Sequence, residues 1–316
     1  MKNICKLYMV VPCYNEEEVL TETARRLICK FDSLSEQGKI TADSRIVFVD
    51  DGSKDSTWEL IVLLHQQDER IQGIKLSRNC GHQNALFAGL MSVKDDCDAA
   101  ISMDADLQDD INAVDEMVEQ WIQGFDIVYG VRNSRKKDTV LKRSTAETYY
   151  KALKMMGVEI TYNHADYRLM SAKALNSLSE FKEANLFLRG IVPMIGYRTT
   201  AVYYERGERF AGQSKYPLKK MLTLAWDGIS AFSVKPIHFI VFLGMIVFII
   251  SFLILICLLI CYFAGVADLS WGAVLVSVWG IGGLVLLAIG LIGEYIGKIS
   301  FESKKRPRYI IDEYVK

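Results

Sequence analysis

Two stretches without a single charged side chain, 237–263 and 269–293, limit what this chain can become more than any other feature. Each exceeds the roughly 20 apolar residues that carry a helix across a bilayer. A soluble core seldom needs helices that are apolar all round over such a length. The sequence therefore predicts a hairpin of two transmembrane helices, about 237–263 and 270–293, inside a segment 237–295. That leaves 1–214 as a separate domain, 215–236 as a juxtamembrane amphipathic segment and 296–316 as a basic tail.

Charge then orients the hairpin. Lys215, Lys219, Lys220 and Lys235 precede the first span, and Lys298, Lys304, Lys305, Arg306 and Arg308 follow the second. The short connection between the spans carries only Asp268. By the positive-inside rule both termini and the domain 1–214 face the cytoplasm, as a multi-pass protein of the inner (plasma) membrane. Leu218, Met221, Leu222 and Leu224 would press a helical pattern at 221–230 into the headgroup boundary. The net charge is −1, so no global basic field exists to draw nucleic acid, and no nucleic-acid partner is expected. The seven cysteines are scattered without metal-ligand spacing, which fits a reducing compartment. Residues 1–6 lead into a strand, without a hydrophobic stretch long enough for a secretory signal.

Before the spans, short apolar runs alternate with helical patterns. Strands are predicted at 7–11, 46–49, 73–76 and 126–130, with another opening at Ile101, each followed by a polar turn or a helix. This alternation implies an α/β domain with a mainly parallel sheet and helices on both faces. Asn15, Asp50, Asp51, Arg78, Asp104 and Asp106 all follow the carboxyl ends of those strands, the edge where open α/β sheets bind ligands. No glycine-rich dinucleotide or ATP loop stands there. In Asp104-Ala105-Asp106-Leu107-Gln108, two carboxylates and a carboxamide offer oxygen ligands for a hard divalent cation, which could carry a diphosphate. The same acids would also serve a solvated turn.

Four clusters now stand in order: Pro12-Cys13-Tyr14-Asn15-Glu16, Val49-Asp50-Asp51-Gly52-Ser53, Arg78-Asn79-Cys80-Gly81-His82-Gln83 and Asp104-Ala105-Asp106-Leu107-Gln108. Together they resemble the family 2 inverting glycosyltransferases. Within that family the chain is similar to the polyprenyl-phosphate glycosyltransferases, which include dolichol-phosphate mannose synthases and bacterial bactoprenol glucosyltransferases with two C-terminal membrane helices. The likeness extends to Asp166-Tyr167-Arg168-Leu169-Met170, Gly207-Glu208-Arg209, Gly212-Gln213-Ser214-Lys215-Tyr216 and Arg306-Pro307-Arg308-Tyr309.

The resemblance implies a GT-A-type fold and a nucleotide-sugar site made by Pro12, Tyr14, Glu16, Asp50, Asp51, Arg78, Gln83, Asp104 and Ala105. It implies Mg²⁺ or Mn²⁺ on Asp104, Asp106 and Gln108. It places Arg132, Arg143 and Ser144 on the lipid phosphate, and Arg206, Arg209 and Lys215 are expected to close over the phosphates. Asp166, with Arg132 and Arg143, is the expected catalytic group, orienting the acceptor or stabilising an oxocarbenium-like sugar. Plainer readings stand beside these: a turn and helix cap for Asp50 to Ser53, a structural or capping role for His82, and an ion pair with Arg168 for Asp166.

A phosphate monoester is already largely dianionic at neutral pH, so it needs little help from a general base and can displace the nucleoside diphosphate in one inverting step. The implied reaction moves glucose from UDP-glucose to undecaprenyl phosphate for envelope glycan modification. N-acetylglucosamine, galactose, GDP-mannose and a modified aminopentose are the other donors, and a polysaccharide synthase or a non-enzymatic scaffold the other classes. The resembled proteins include tetramers, and glycines at 280, 282, 283, 290, 293 and 297 permit close helix contacts in a homo-oligomer.

Overall fold

A computed structural model describes residues 4–133, 164–183, 187–207 and 271–316, with scattered helical positions between 240 and 260. The chain divides into two compact units: 1–151 with 159–218 and 306–316, and 152–158 with 219–305.

In the first unit, β1 (Leu7–Cys13) is buried along its whole length, which explains its unbroken apolar run: both of its faces are covered. After it come α1 (Leu20–Glu36), β2 (Arg45–Asp50), α2 (Thr57–Gln67), β3 (Ile71–Leu76), α3 (His82–Val93), β4 (Ala99–Ser102), α4 (Ala113–Ile122) and β5 (Ile127–Arg132). Then follow β6 (His164–Ser171), α5 (Ala172–Ser179), α6 (Leu188–Met194), β7 (Thr199–Tyr204) and, from the far end of the chain, β8 (Ile311–Val315). The eight strands form one sheet in the order β7-β5-β6-β4-β1-β2-β3-β8.

Helix α1 shows why the layers form. Leu20, Ala24, Leu27, Phe31 and Leu34 recur at helical spacing and are buried, while the opposite face carries Glu22, Arg25 and Arg26. That stripe joins residues of α2 and α4 in a core with Leu7, Met9, Val11 and Cys13 of β1. The other face of the sheet receives α3. There Gly89 lies so close to the strands that a β-carbon on it would stand 2.4 Å from Val10 Cγ1 and 2.7 Å from Val49 Cγ2.

The strands expected from the sequence are present, and β1 pairs in parallel with β2 and β4, as β2 does with β3. The sheet is nonetheless mixed. β6 inserts antiparallel between β4 and β5, and β7 extends the sheet parallel to β5. Apolar alternation does not reveal β6, because Asp166 and Arg168, with Ser171 at its end, are buried polar residues. The segment read as a basic tail also joins the sheet. β8 pairs antiparallel with β3, covering an edge that would otherwise present unpaired backbone groups. Just before it, Arg308 lies 4.7 Å over the Phe87 ring of α3 and donates to the Phe181 carbonyl at 2.7 Å.

The second unit contains α7 (Trp271–Ser303), whose 33 residues make a rod about 50 Å long at 1.5 Å per residue. Counted over the described residues alone, no helix is long and apolar enough to cross a membrane.

Gly89→Ala tests the close approach of α3 to the sheet. The added methyl should overpack Val10 and Val49 and cost about 1–3 kcal/mol, read as a lower denaturation midpoint with an unchanged slope.

Candidate active site

The loops that leave the carboxyl ends of β1, β2 and β3 are tied into one ridge. Asn15 adopts a positive φ of 52°, its amide donates to Ser53 Oγ at 2.9 Å, and its own Oδ1 accepts from the Lys54 amide at 2.8 Å. The Glu16 amide donates to Thr57 Oγ1 at 2.9 Å. Gly52, at φ 65°, passes so near the third loop that a β-carbon would stand 2.7 Å from Arg78 C and Asn79 N. Only glycine meets both demands.

Two neighbouring aspartates on this ridge have different duties. Both Asp51 oxygens accept from backbone amides, of Cys80 at 2.6 Å and Gly81 at 2.9 Å, so Asp51 braces the third loop. Asp50 Oδ1 accepts from the Ser53 amide at 3.1 Å, but its buried Oδ2 has no partner among the described residues, and burial pushes the carboxyl above its usual range. An orphaned buried acceptor beside Tyr14 and Glu16 suits a donor group on a base or ribose. Pro12 is buried within β1.

The loop after β4 carries the acidic stretch. Leu107 stands at φ 57°, a left-handed conformation that costs a leucine roughly 1–2 kcal/mol and turns the flanking side chains. The Ala105 carbonyl accepts from Thr23 Oγ1 of α1 at 2.8 Å, and Asp106 Oδ1 accepts from the Gln108 amide at 3.1 Å. Burial and the carboxylates of Asp109, Asp166 and Asp106 push Asp104 up, against the pull of His82. Gln108 Oε1 accepts from Arg206 Nη2.

Two arginine clusters, one on Asp166 and one on Asp109, lie near Asp104. His82 Nε2 lies 3.3 Å from Asp104 Oδ1 and 3.9 Å from Asp166 Oδ2. Asp166 Oδ1 accepts from Arg168 Nη2 at 2.6 Å and Arg189 Nε at 3.2 Å, and Oδ2 accepts from Arg189 Nη2 at 2.9 Å. Burial alone would raise this carboxyl; Arg189 and Arg168 instead hold it well below the usual carboxylate range. In the second cluster, Arg132 Nη2 donates to the buried Asp109 at 3.1 Å and Arg132 Nε to Tyr204 Oη at 3.2 Å. The Tyr204 hydroxyl donates to the same Asp109 oxygen at 2.5 Å. Burial would lower Arg132, but Asp109 and Tyr204 hold it above its usual value. Burial, and then Arg132, lower Arg206.

The structure thus brings Asp104, Asp166, Arg132 and Arg206 to one strand edge, with Asp50 and Asp51 on the ridge after the neighbouring β2. Arg143, Ser144, Arg209 and Lys215, and the juxtamembrane segment 215–236, lie outside the described residues. Gln83 Oε1 accepts from the Leu188 amide at 3.0 Å and fixes the start of α6. Gly81 stands at a φ of 90°. Sequence reasoning passed over Asp109, Tyr204 and Arg189, and set His82 aside as structural or capping. The pairs they form are distant in the chain, and only the Asp109 that ends the acidic stretch gave any local signal.

Among the described residues, no three His, Cys, Asp or Glu side chains converge as a metal-holding group. The candidate set is instead two carboxylates and a carboxamide, hard oxygen donors in a locally acidic place.

Residues 8–179 match the family model "Glycosyl transferase family 2". The chain is 50% identical over 306 residues to the uncharacterized glycosyltransferase YkoT of Bacillus subtilis, covering 97% of this chain and 91% of that one. It is 39% identical over 308 residues to the bactoprenol glucosyl transferase of Shigella phage SfV, covering 97% and 98%. A looser likeness, 14% identity and a TM-score of 0.43 over 72% of this chain and 78% of the other, links it to a glucosyl-3-phosphoglycerate synthase of Mycobacterium tuberculosis. With the model match spanning more than half of the chain and these relatives nearly all of it, the protein belongs to glycosyl transferase family 2 and is a glycosyltransferase.

Proposed function

We propose that this enzyme transfers glucose from UDP-glucose to undecaprenyl phosphate with inversion, giving a membrane-borne lipid-linked sugar. The observation that supports this reading is that two arginine–carboxylate groups, Arg168 and Arg189 on Asp166 and Arg132 on Asp109, gather near Asp104, because the reaction must bring two phosphate-bearing substrates together. The name of the SfV relative, identical at 39% of aligned positions, supports glucose and a bactoprenol acceptor.

Asp50, with its orphaned oxygen, and Tyr14 and Glu16 on the same ridge take the nucleoside. Asp104, Asp106 and Gln108 would hold a divalent cation, Mg²⁺ or Mn²⁺. Burial, and after it the neighbouring carboxylates, push Asp104 up, a strain that such a cation would relieve, and Arg206 already sets a positive group against Gln108. When bound, the cation supplies charge neutralisation for the leaving diphosphate. Arg132 is held in place by Asp109 and Tyr204, and its guanidinium suits the oxygens of the acceptor phosphate. The dianionic phosphate is its own nucleophile, so the protein's part is to hold it in line with the anomeric carbon and screen its charge.

The membrane hairpin belongs to the same proposal. Residues 159–218 and 306–316 belong to one compact unit, so a membrane excursion by 219–305 must cross an even number of times to return β8 to β3. Two uncharged runs supply two crossings, and basic residues at both ends favour a cytoplasmic catalytic domain in the inner membrane. The glycines of the second run support packing between copies in a homo-oligomer, a tetramer by resemblance.

Membranes containing the protein should convert labelled UDP-glucose and undecaprenyl phosphate to a lipid-linked glucose. No lipid-linked product from any donor in a nucleotide-sugar panel would refute the proposal, and a growing polymer would favour a synthase. Asp106→Ala should lower the rate by at least about a hundredfold, as expected for loss of a main electrostatic stabiliser. Chelation should abolish turnover, and Mg²⁺ or Mn²⁺ should restore it. A cysteine introduced at Lys304 should react with an impermeant thiol reagent only from the cytoplasmic side; labelling from outside alone would overturn the orientation.

A further inference from the structure

In a nucleotide sugar the anomeric carbon is one bridging oxygen away from the second phosphate, so the hexose must rest on groups that border the loop assigned to the diphosphate. The titratable neighbours of Asp104 are His82, Asp109, Asp166 and Asp106. Asp109 is buried and taken by Arg132 and Tyr204. Asp166 keeps 7% of its side chain exposed and accepts from Arg168 and Arg189. Asp106 belongs to the loop assigned to the cation. His82 is the neighbour left to meet a neutral sugar: 33% of its side chain is exposed, and so is 38% of Asp104 beside it.

We propose that His82 Nε2 and Asp104 Oδ1 together hold one hydroxyl of the transferred hexose, which makes His82 a residue that reads the donor sugar. Nε2 lies 3.3 Å from Asp104 Oδ1, and at 3.9 Å it is beyond hydrogen-bond reach of Asp166 Oδ2. A ring nitrogen turned toward carboxylate oxygens carries its hydrogen there, so the pair sets an N–H donor beside an acceptor oxygen. A hydroxyl both accepts and donates, and it can satisfy the two at once. Asp104 has a second oxygen for the cation. Both partners stand on fixed backbone. His82 opens α3, where the Gly81 amide donates to Asp51 Oδ2 at 2.9 Å and Gln83 Oε1 accepts from the Leu188 amide at 3.0 Å. The Met103 amide, just before Asp104, donates to the Val10 carbonyl of β1 at 3.1 Å. A short, rigid imidazole held in this way has little rotamer freedom to lose on binding.

This inference rests on the glycosyl-transfer reading above, and its test separates the two. The full-length enzyme in lipid nanodiscs is assayed as wild type, His82→Ala and His82→Asn, with undecaprenyl phosphate as acceptor and UDP-glucose or its monodeoxy analogues as donors. UDP inhibition and thermal unfolding are measured on each variant. Asparagine is too short to return a donor to the Nε2 position, so it should act as alanine does. In both variants the KM for UDP-glucose should rise about tenfold, the scale of one lost hydrogen bond in a site of this kind. UDP, which lacks the sugar, should inhibit within about twofold of its wild-type constant, and the acceptor KM should stay within the same range. Wild type should penalise at least one deoxy donor by about tenfold, and both variants should lose that penalty. An unchanged donor KM overturns the assignment, and so do deoxy penalties that persist in the variants. A loss of UDP affinity parallel to the donor effect also overturns it, because His82 would then serve the diphosphate loop. If H82A unfolds, H82N decides alone on the same measurements. Wild-type enzyme that makes no lipid-linked sugar refutes the glycosyl-transfer reading, and this inference with it.

Discussion

The antiparallel pairing of β6 with β4 is the constraint on which the site depends. Its register sets Ser102 opposite Arg168, and Ser102 Oγ donates to the backbone carbonyl of Asp166. Extended past the end of β4, the same register brings Asp104 across from Asp166. Two facing carboxylates repel unless cations intervene or one holds a proton. Arg168 of β6 and Arg189 of α6 pair with Asp166, and His82 at the start of α3 lies against Asp104. One strand pairing therefore sets which groups β6 and two further elements, α6 and α3, bring to the carboxylates.

How much of this was legible in the sequence depended on whether the signal was local. The strands β1 to β5 and their helices announce themselves through apolar runs and helical stripes, and the polar loops at their ends stand out because charge interrupts hydrophobicity there. The ridge after β1 and β2 was visible for that reason, and so was the Asp104 loop. β6 was not visible as a sheet strand, because its buried face is built from Asp166 and Arg168, which read as solvent-facing until their partners are known. Arg189 and Tyr204 were invisible as site residues for the same reason: each gains its role from a carboxylate far away in the chain. β8 was hidden by the basic residues before it, whose membrane reading left no occasion to look for a strand.

The return of the chain to the sheet at β8 links the parts of the molecule by connectivity. Backbone pairing with β3 and the Arg308 contacts with Phe87 and Phe181 make the last residues part of the catalytic domain's own fold. Phe87 belongs to α3, whose first residues are His82 and Gln83. The segment that precedes β8 is therefore coupled, through one helix, to residues that brace the site.

Charge balance gives the site its remaining logic. Near Asp104 and Asp106, Asp166 accepts from two arginines and Asp109 from Arg132 and Tyr204. Both of these carboxylates are buried and engaged by guanidinium groups, an arrangement unsuited to proton transfer. Asp166 is a poor base in this setting, because two guanidiniums stabilise its ionised form. A nucleophile that arrives already deprotonated makes that arrangement sufficient. An alcohol acceptor would need a carboxylate able to take its proton, and the described site reserves none at this position. The chemistry of the acceptor and the pairing of Asp166 thus support each other: a phosphate needs no base, and the aspartate is committed elsewhere.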